Sequence, residues 1–199
     1  MSIPKNLITI WIWPEMPDRI KECSKTHDPE WYNHIHITND NYYHCKYVSE
    51  CIEAKRFWKA CDYLRMYYLY KYGGVYIDMD TTILRPFDDV LDNIMFVCQE
   101  ENQFIANGIV WSIPEHPLLA HYLKTVEDNF IGSGDLVFQP GMYLWTELVK
   151  YSKWTPEIKI YPADWFLPYN HQTWVTNITK NSHTNHFYLG SWLSENTPK

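Results

Sequence analysis

The chain has 199 residues, 46% of them hydrophobic and 17% aromatic, which is enough apolar surface for one packed domain. Its net charge of −7 and pI near 5.7 lack the basic footprint that broad nucleic-acid binding requires. Five cysteines without C-x-x-C spacing indicate neither a disulfide framework nor a zinc ribbon, and they favour reduced thiols.

The first half of the chain alternates apolar runs with helical segments. Its patterns predict strands at 7–13, 34–38 and 75–80, and helices at 17–25 and 58–72. The longest helix is rich in strong helix formers, and the glycine pair that follows it is typical of a helix C-cap.

The second half continues the alternation. It predicts strands at 94–99, 108–113, 157–161 and 186–190, and helices at 87–93, 116–130 and 141–154. Strands that alternate with helices predict an α/β fold. Open α/β sheets bind ligands at the carboxyl ends of their strands, and Asp78 and Asp80 lie at such an end.

The N-terminal apolar run, LITIWIW, is short and is followed by Pro-Glu instead of the small-residue cleavage site of a signal peptide. The chain also has no run of about 18 apolar residues that would cross a bilayer. We therefore expect a soluble, cytoplasmic protein without a transmembrane segment, with association at a membrane surface left open.

Asp78 and Asp80 form a D-x-D pair inside YKYGGVYIDMDTTILRP. In an extended strand, residues i and i+2 point to the same face, about 6.6 Å apart. Two partly buried carboxylates without a counter-charge raise each other's pKa. A hard divalent cation such as Mg²⁺ or Mn²⁺ resolves that conflict.

A metal site is not the only role that fits this acidic pair, and a solvated strand end fits it as well. Ile83 occupies the position where an EF-hand loop requires glycine, so a calcium loop is excluded. The spacing approaches that of an inverting glycosidase, although the acids of such enzymes flank the bond from opposite sides. A nucleotidyltransferase also uses D-x-D with metal, but no Gly-Ser phosphate loop precedes the pair.

Asp62 and Arg65 share one face of the preceding helix at i, i+3 spacing. One interpretation is a surface salt bridge that contributes less than about 1 kcal/mol. The other is a carboxylate that binds hydroxyls beside a guanidinium that binds phosphate or sugar.

The segment ACDYLRMYYLYKYGGVYIDMDTTILRP closely resembles the D-x-D sugar-binding region of glycosyltransferase family 32, which includes fungal mannosyltransferases and bacterial capsular transferases. Cys61 replaces the family's usual serine. The matching positions are Ala60, Asp62, Arg65, Leu69, Tyr72, Gly73, Gly74, Tyr76, Asp78 and Asp80.

Further segments resemble family motifs in the family's order. Ile8 and Thr9 stand where the family has His and Gln, which leaves Trp11 as the neighbour expected for the base. The segments are IPKNLITIW (3–11), NGIVWSIPEHPLL (107–119), QPGMYLWTEL (139–148) and HFYLGSW (186–192).

The resemblance implies a GT-A fold, a single Rossmann-like mixed sheet flanked by helices. Residues 1–199 would form one domain that binds nucleotide-sugar in its N-terminal half and the acceptor in its C-terminal half, and this domain could be excised from a longer protein. The implied activity is a metal-dependent, retaining transfer from a nucleoside-diphosphate sugar to a glycan acceptor. A UDP-hexose is the first expectation for the donor and GDP-mannose the second. No nucleic-acid partner is expected.

The resemblance also implies a metal site. Asp80 would bind the ion directly, and Asp78 would hold ribose or the donor sugar and reach the ion through water. His186 would be a third contact to metal or phosphate, with His183 as second choice. Mn²⁺ is the implied cofactor, or else Mg²⁺.

On the donor side, the resemblance implies that Asp62 and Arg65 grip the sugar hydroxyls and phosphate. Trp11 would stack on the base, with Trp13 as the fallback, and Asn107 would touch donor or acceptor. A plain core position is the alternative for each tryptophan.

Late in the chain, Trp192 would donate its indole N–H to the leaving phosphate beside Ser191. The implied catalytic set is Asp62, Arg65, Asp78, Asp80 and Trp192. The implied donor-binding set is Trp11, Asp62, Arg65, Asp78, Asn107, Ser191 and Trp192.

A non-catalytic module that binds nucleotide-sugar or glycan is the competing hypothesis from a different class. The joint presence of Asp62, Arg65, Asp78 and Asp80 argues against such a decayed site. A glycosidase is the third hypothesis.

Overall fold

The computed structural model describes residues 2–13, 15–27, 30–100, 103–132, 140–170 and 172–190. The expected donor contacts Ser191 and Trp192 therefore lie outside the described residues.

Ten strands form one large sheet and two small ladders. They are β1 (Asn6–Ile10), β2 (Asn33–Ile37), β3 (Gly74–Ile77), β4 (Thr81–Ile83), β5 (Met95–Gln99), β6 (Ile105–Ser112), β7 (Ile158–Tyr161), β8 (Tyr169–Asn170), β9 (Val175–Thr176) and β10 (Thr184–His186) within the described ranges. The large sheet has the order β2-β1-β3-β6-β5-β7. Its β1 is parallel to β2 and β3, β6 is antiparallel to β3 and β5, and β7 is parallel to β5. The small ladders pair β4 with β10 and β8 with β9.

The helices are α1 (Asp18–Ser24), α2 (Lys46–Glu53), α3 (Phe57–Tyr72), α4 (Pro117–Asn129), α5 (Trp145–Tyr151) and α6 (Ala163–Phe166) in the same ranges. A kinked segment, Pro140–Leu144, in which the backbone of Gly141 is not helical, leads into α5, and a 3-10 turn, Thr155–Glu157, precedes β7. Among these described helices, none combines the length and apolar character needed to cross a membrane.

The sheet is buried on both faces. Along β3, Tyr76 packs into the core beneath α2, α3, α4 and α5, whereas Val75 and Ile77 pack into the core of the opposite face. This alternation follows from the two-residue period of a strand, and it explains why β3 is apolar throughout.

The end of α3 fixes the start of β3. Gly73 adopts a φ of 62°, and its N–H donates to the Leu69 carbonyl at 2.8 Å, so it caps the helix as predicted. A side chain there would strike Pro114, because a Cβ would lie 2.5 Å from its Cδ. The chain can therefore pass directly from the helix into the strand that leads to the acidic pair.

Most predicted elements are confirmed, with shifted ends, but 87–93 is not a helix. It forms turns whose apolar side chains are buried, and its Leu91 carbonyl accepts from Ile3 N at 3.0 Å. This bonding to the N-terminal segment replaces the helical pattern. The final predicted strand, 186–190, is instead β10 at Thr184–His186. The sequence patterns also did not predict α2 and β4.

The segment after α1 clamps the free edge of β4. His27 donates from Nε2 to the Thr81 carbonyl at 2.8 Å, and Ile83 N donates to Thr26 Oγ1 at 2.9 Å. His27 is 4% exposed, and burial lowers its pKa to about 4. The ring is therefore neutral at physiological pH, and its Nε2 proton is used in the hydrogen bond to the Thr81 carbonyl of β4.

We predict that His27 makes the fold acid-sensitive. Its pKa is lowered relative to the unfolded chain, so the unfolded state binds the extra proton between about pH 6.5 and 4, and stability falls as pH falls through that window. The His27→Gln variant keeps an N–H donor but does not titrate. Urea unfolding across this range should show wild type losing up to about 3 kcal/mol more than the variant. Parallel stability–pH curves for the two proteins would contradict this prediction.

Candidate metal and donor site

The acidic pair lies in the turn between β3 and β4. The strand was expected to run through Asp80, but it ends at Ile77, and Thr81 N donates to the Asp78 carbonyl across the turn at 3.1 Å. The expectation that both acids project from an extended strand is therefore wrong. Their location at the carboxyl end of a central strand is confirmed.

The β4–β10 ladder brings a residue from far along the chain to this turn. His186 pairs with Thr81, the residue directly after Asp80. Its Nε2 lies 3.0 Å from Asp80 Oδ1 and 3.9 Å from Asp78 Oδ2. The three predicted metal-site residues thus converge, with one candidate ligand atom from each within 4.8 Å of the others.

Asp80 is held as a carboxylate. Burial works toward a higher pKa, but the charge of His186 and hydrogen bonds from His186 and Leu189 N outweigh it and lower the pKa to about 2. The Leu189 bond to Oδ2 is 2.8 Å long. Burial likewise opposes the charged form of His186, yet Asp80 and then Asp78 raise its pKa.

Helix α3 supplies a second charged layer. Arg65 Nη2 lies 3.1 Å from Asp62 Oδ1, and Arg65 Nη1 lies 3.4 Å from Asp78 Oδ1. The Arg65 side chain is 7% exposed, so this pair is not the surface salt bridge considered as one interpretation. Burial opposes its charge, but Asp78, Tyr76 and Asp62 raise its pKa.

Asn107 on β6 closes this layer. Its side-chain Nδ2 donates to Asp62 Oδ1 at 2.9 Å, and its backbone carbonyl accepts from Arg65 Nη1 at 2.8 Å. Burial raises the pKa of Asp62 to about 6, with Arg65 limiting the rise. The predicted residues Asp62, Arg65 and Asn107 therefore form one network with Asp78.

The predicted base-stacking residue lies beside the turn. Trp11 packs in a small cluster with Ile20 and Met79, the residue between the two acids. Its ring is 5.2 Å from that of Trp13. Trp11 is only 8% exposed, and its indole N–H is buried without a partner among the described residues.

The second-choice histidine, His183, is not at the site. Its Nδ1 pairs with the Pro86 carbonyl and its Nε2 with Arg85 Nη2, each at 2.8 Å. The ring packs against Phe166 at 5.3 Å, in the core of the opposite face. Of the two histidines, His186 is the one that reaches the acids.

Three further contacts at the site involve residues to which the sequence patterns gave no role. Tyr76 donates from its hydroxyl to Asp78 Oδ1 at 2.6 Å, and the Tyr188 ring lies 4.1 Å from that of His186. Gly108 backs the acids, because a Cβ there would lie 2.5 Å from Asp78 Oδ2. The Tyr76 contact could have been predicted from the sequence, since residues two apart share a face of a strand. Tyr188 is also two residues from His186, but it reaches the acids only because β10 pairs with β4, and Gly108 reaches Asp78 because β6 pairs with β3.

The residues Asp78, Asp80 and His186 fit a divalent ion. Two carboxylates and one imidazole leave coordination positions for phosphate and water. Mg²⁺ prefers oxygen ligands, so the imidazole favours a first-row ion such as Mn²⁺.

Comparison with known families agrees with this geometry. The model for the glycosyltransferase sugar-binding region containing the DXD motif matches residues 14–97. This span includes α3 and the acidic turn. The resemblance to glycosyltransferase family 32 is therefore confirmed, and the chain carries the sugar-binding region of that type.

Curated relatives match parts of the chain. The human alpha-1,4-N-acetylglucosaminyltransferase is 26% identical over 50% of this chain and 24% of its own length. Inositol phosphoceramide mannosyltransferases 2 and 3 of Schizosaccharomyces pombe are 31% and 25% identical, over 36% and 63% of this chain. The chain covers 21% and 37% of those two relatives, so it spans well under half the length of each of the three.

Solved structures confirm the GT-A α/β fold. The PaToxG glycosyltransferase superposes with a TM-score of 0.61 at 17% identity, covering 74% of this chain and 69% of its own. A glycosyltransferase involved in glycosylation of the major capsid of PBCV-1 gives 0.51 at 9% identity, covering 96% of each chain.

We predict that Gly108→Ala displaces Asp78 and weakens Mn²⁺ binding. The added Cβ would clash with the carboxylate end of a side chain, which can rotate away, so the fold should survive while the ligand moves. Disturbing the support of a ligand typically weakens metal affinity about 10–100-fold. Mn²⁺ titration followed by electron paramagnetic resonance measures this change.

A double variant supplies the control. In Gly108→Ala/Asp78→Ala the clash is gone, so its unfolding free energy should match that of Asp78→Ala alone, with Mn²⁺ affinity still low. If Gly108→Ala binds Mn²⁺ as wild type does, Asp78 is not part of the metal site.

Proposed function

We propose that this chain, which carries the sugar-binding region of the family-32 type, is a metal-dependent, retaining glycosyltransferase. It transfers a sugar from a nucleoside-diphosphate sugar to a glycan acceptor. The observation that carries the proposal is the convergence of Asp78, Asp80 and His186 beside the Asp62–Arg65–Asn107 network. We further propose that residues 1–199 act as one domain, with the donor in the N-terminal half and the acceptor in the C-terminal half.

The metal ligands of the proposal are Asp80, Asp78 and His186. A bound Mn²⁺ or Mg²⁺ would neutralise the diphosphate and make it a better leaving group. Leu189 N and the His186 ring keep Asp80 ionised and in place. Tyr76 and Arg65 hold Asp78 in place by donating to or approaching its Oδ1.

Arg65 acts mainly through the carboxylates. Its guanidinium is directed at four protein acceptors, which are the Cys61 and Asn107 carbonyls and the carboxylates of Asp62 and Asp78. A guanidinium has five N–H donors, so little capacity remains for phosphate. We therefore revise its role from donor clamp to positioning residue.

Asp62 is the proposed partner of the donor sugar's hydroxyls. Asn107 donates a hydrogen bond to its Oδ1, and Arg65 forms an ion pair with the same oxygen. The other oxygen, Oδ2, takes part in neither of those contacts. A carboxylate oxygen that accepts from sugar hydroxyls fixes the orientation of the ring and hence of its anomeric carbon. Trp11 is kept as the neighbour of the base, where its unpartnered indole N–H would reach a polar group.

The anomeric configuration is retained if the diphosphate leaves and the acceptor hydroxyl attacks on the same face of the sugar. The bond from the anomeric carbon to the phosphate oxygen breaks, the bond to the acceptor oxygen forms, and the acceptor proton passes to the leaving phosphate oxygen. The carboxylates of Asp62, Asp78 and Asp80 are each engaged by protein groups in this scheme, and none serves as the nucleophile.

The donor is proposed as a UDP-hexose first and GDP-mannose second. The names of the relatives include both N-acetylglucosaminyl and mannosyl transfer, so a donor panel must contain UDP-glucose, UDP-N-acetylglucosamine and GDP-mannose. Thermal shift with Mn²⁺ identifies the donor, because a ligand of the native state raises its stability.

We predict that Asp80→Ala abolishes Mn²⁺-dependent hydrolysis of the donor selected by that panel. Removing the ligand leaves His186 and Asp78 unable to hold the ion, and the rate should fall at least about 100-fold. The matched control is Asp92→Ala, which removes an exposed carboxylate elsewhere. Hydrolysis or transfer by Asp80→Ala at the wild-type rate would refute the assignment.

Calorimetry combined with a hydrolysis assay distinguishes the competing hypothesis, a non-catalytic binding module, from an active glycosyltransferase. UDP and GDP are titrated into wild type with and without Mn²⁺, and hydrolysis is then assayed with the same protein. Metal-dependent nucleotide binding without hydrolysis, and without transfer to any acceptor, would favour the module. Sugar release that survives a chelator would instead favour a glycosidase.

A further inference from the structure

The β8–β9 hairpin carries exposed apolar side chains at its tip. All residues from 172 to 178 are exposed, including Trp174 at 79%, Val175 at 59% and Ile178 at 56%. Several large apolar side chains exposed within one short segment favour an interaction surface, whereas single exposed ones do not.

The hairpin is built to hold Trp174 at this tip. Asn170 Oδ1 accepts from the backbone N–H groups of Gln172 and Thr173, and Trp174 N donates to the Asn170 carbonyl at 2.8 Å. Trp174 has a φ of 62°, a left-handed conformation that bulky residues rarely adopt and that glycine or asparagine would adopt at lower cost. A strained position occupied by a tryptophan points to a use for that side chain.

The charge around the hairpin differs from that of the whole chain. The protein carries 24 acidic residues and a net charge of −7, yet residues 165–190 contain no Asp or Glu. Lys180 is the one Lys or Arg in that stretch of sequence, two residues after Ile178. The polar residues of the tip are uncharged, so the hairpin would meet an anionic surface without repulsion.

The root of the hairpin touches the candidate site. The Tyr169 ring lies 6.4 Å from the rings of Phe187 and Tyr188, and Tyr188 lies 4.1 Å from His186. A surface held by the tip would therefore be linked to the metal site through two aromatic contacts.

We infer that the β8–β9 hairpin docks the protein on an anionic lipid bilayer by inserting Trp174, Val175 and Ile178 at the interface. Tryptophan prefers the headgroup level, where its apolar ring is buried and its N–H stays hydrated. An exposed tip without carboxylates fits a bilayer better than a saccharide, which binds in concave sites with placed polar groups. Docking on a bilayer also implies that the acceptor substrate is linked to a lipid, and this consequence rests on the proposed function.

The test measures vesicle binding without any turnover, so it is independent of the glycosyltransferase assignment. The 199-residue protein is co-sedimented with vesicles of phosphatidylcholine alone or mixed with phosphatidylserine. Wild type should pellet with both and more with the anionic mixture. Lys180→Glu should weaken binding to the anionic vesicles by about five-fold or more and barely affect the neutral ones.

Trp174→Gly separates docking from folding. It removes the side chain and relieves the left-handed backbone, so the melting temperature should not fall, while vesicle binding should drop at least about ten-fold. Tyr151→Ser is the matched control, because it removes an aromatic residue that is 76% exposed on α5 and should leave binding unchanged. Donor hydrolysis in free solution should be equal in all these variants.

Two results would overturn the inference: a wild-type protein that does not pellet with vesicles, or a Trp174→Gly variant that pellets as well as wild type. If wild type does not pellet and Trp174→Gly loses a self-associated dimer, the hairpin instead binds a second copy of the chain.

Discussion

A buried guanidinium must be compensated, and Arg65 meets this requirement by drawing three separate elements together. Its side chain is 7% exposed, and its partners come from α3 itself, from the turn after β3 and from β6. Removing one partner of a buried ion pair costs about 3–5 kcal/mol, so this network also fixes how the helix sits on the sheet. Asp62 and Asp78 are thereby set on either side of one cation before any ligand binds. The positions of these two carboxylates are therefore fixed by their ion pairs with Arg65.

The carboxylates of the site differ because their surroundings differ. Asp80, with His186 and a backbone N–H, is kept ionised at a pKa of about 2, whereas burial raises that of Asp62 to about 6. Three carboxylates face one guanidinium and one imidazole, so the cluster is short of positive charge. In the proposed function, a bound divalent ion would supply that charge beside Asp80. Asp62 would then bind hydroxyl groups, which need no change of charge.

Local sequence predicted the parts of this arrangement that lie close together along the chain. The helix formers and glycine pair indicated α3 and β3, and with them Asp62, Arg65, Asp78 and Asp80. The α/β alternation predicted the sheet but not its order. His186 was predicted only through the family resemblance, because its place depends on pairing of β10 with β4, a strand of three residues that no pattern revealed. The helix expected at 87–93 failed for a similar reason, since contacts with the N-terminal segment outweighed local propensity.

In the proposed function, His186 and the two acids hold one ion together with the donor's phosphate. Pulsed electron paramagnetic resonance of protein-bound Mn²⁺ in the presence of a nucleoside diphosphate tests this most directly, since it detects the nuclei coordinated to the ion. The account predicts nitrogen coupling from one imidazole, which disappears in His186→Gln, and phosphorus coupling from the nucleotide. A spectrum of Mn²⁺ with oxygen and phosphorus couplings but no nitrogen in wild type would contradict it.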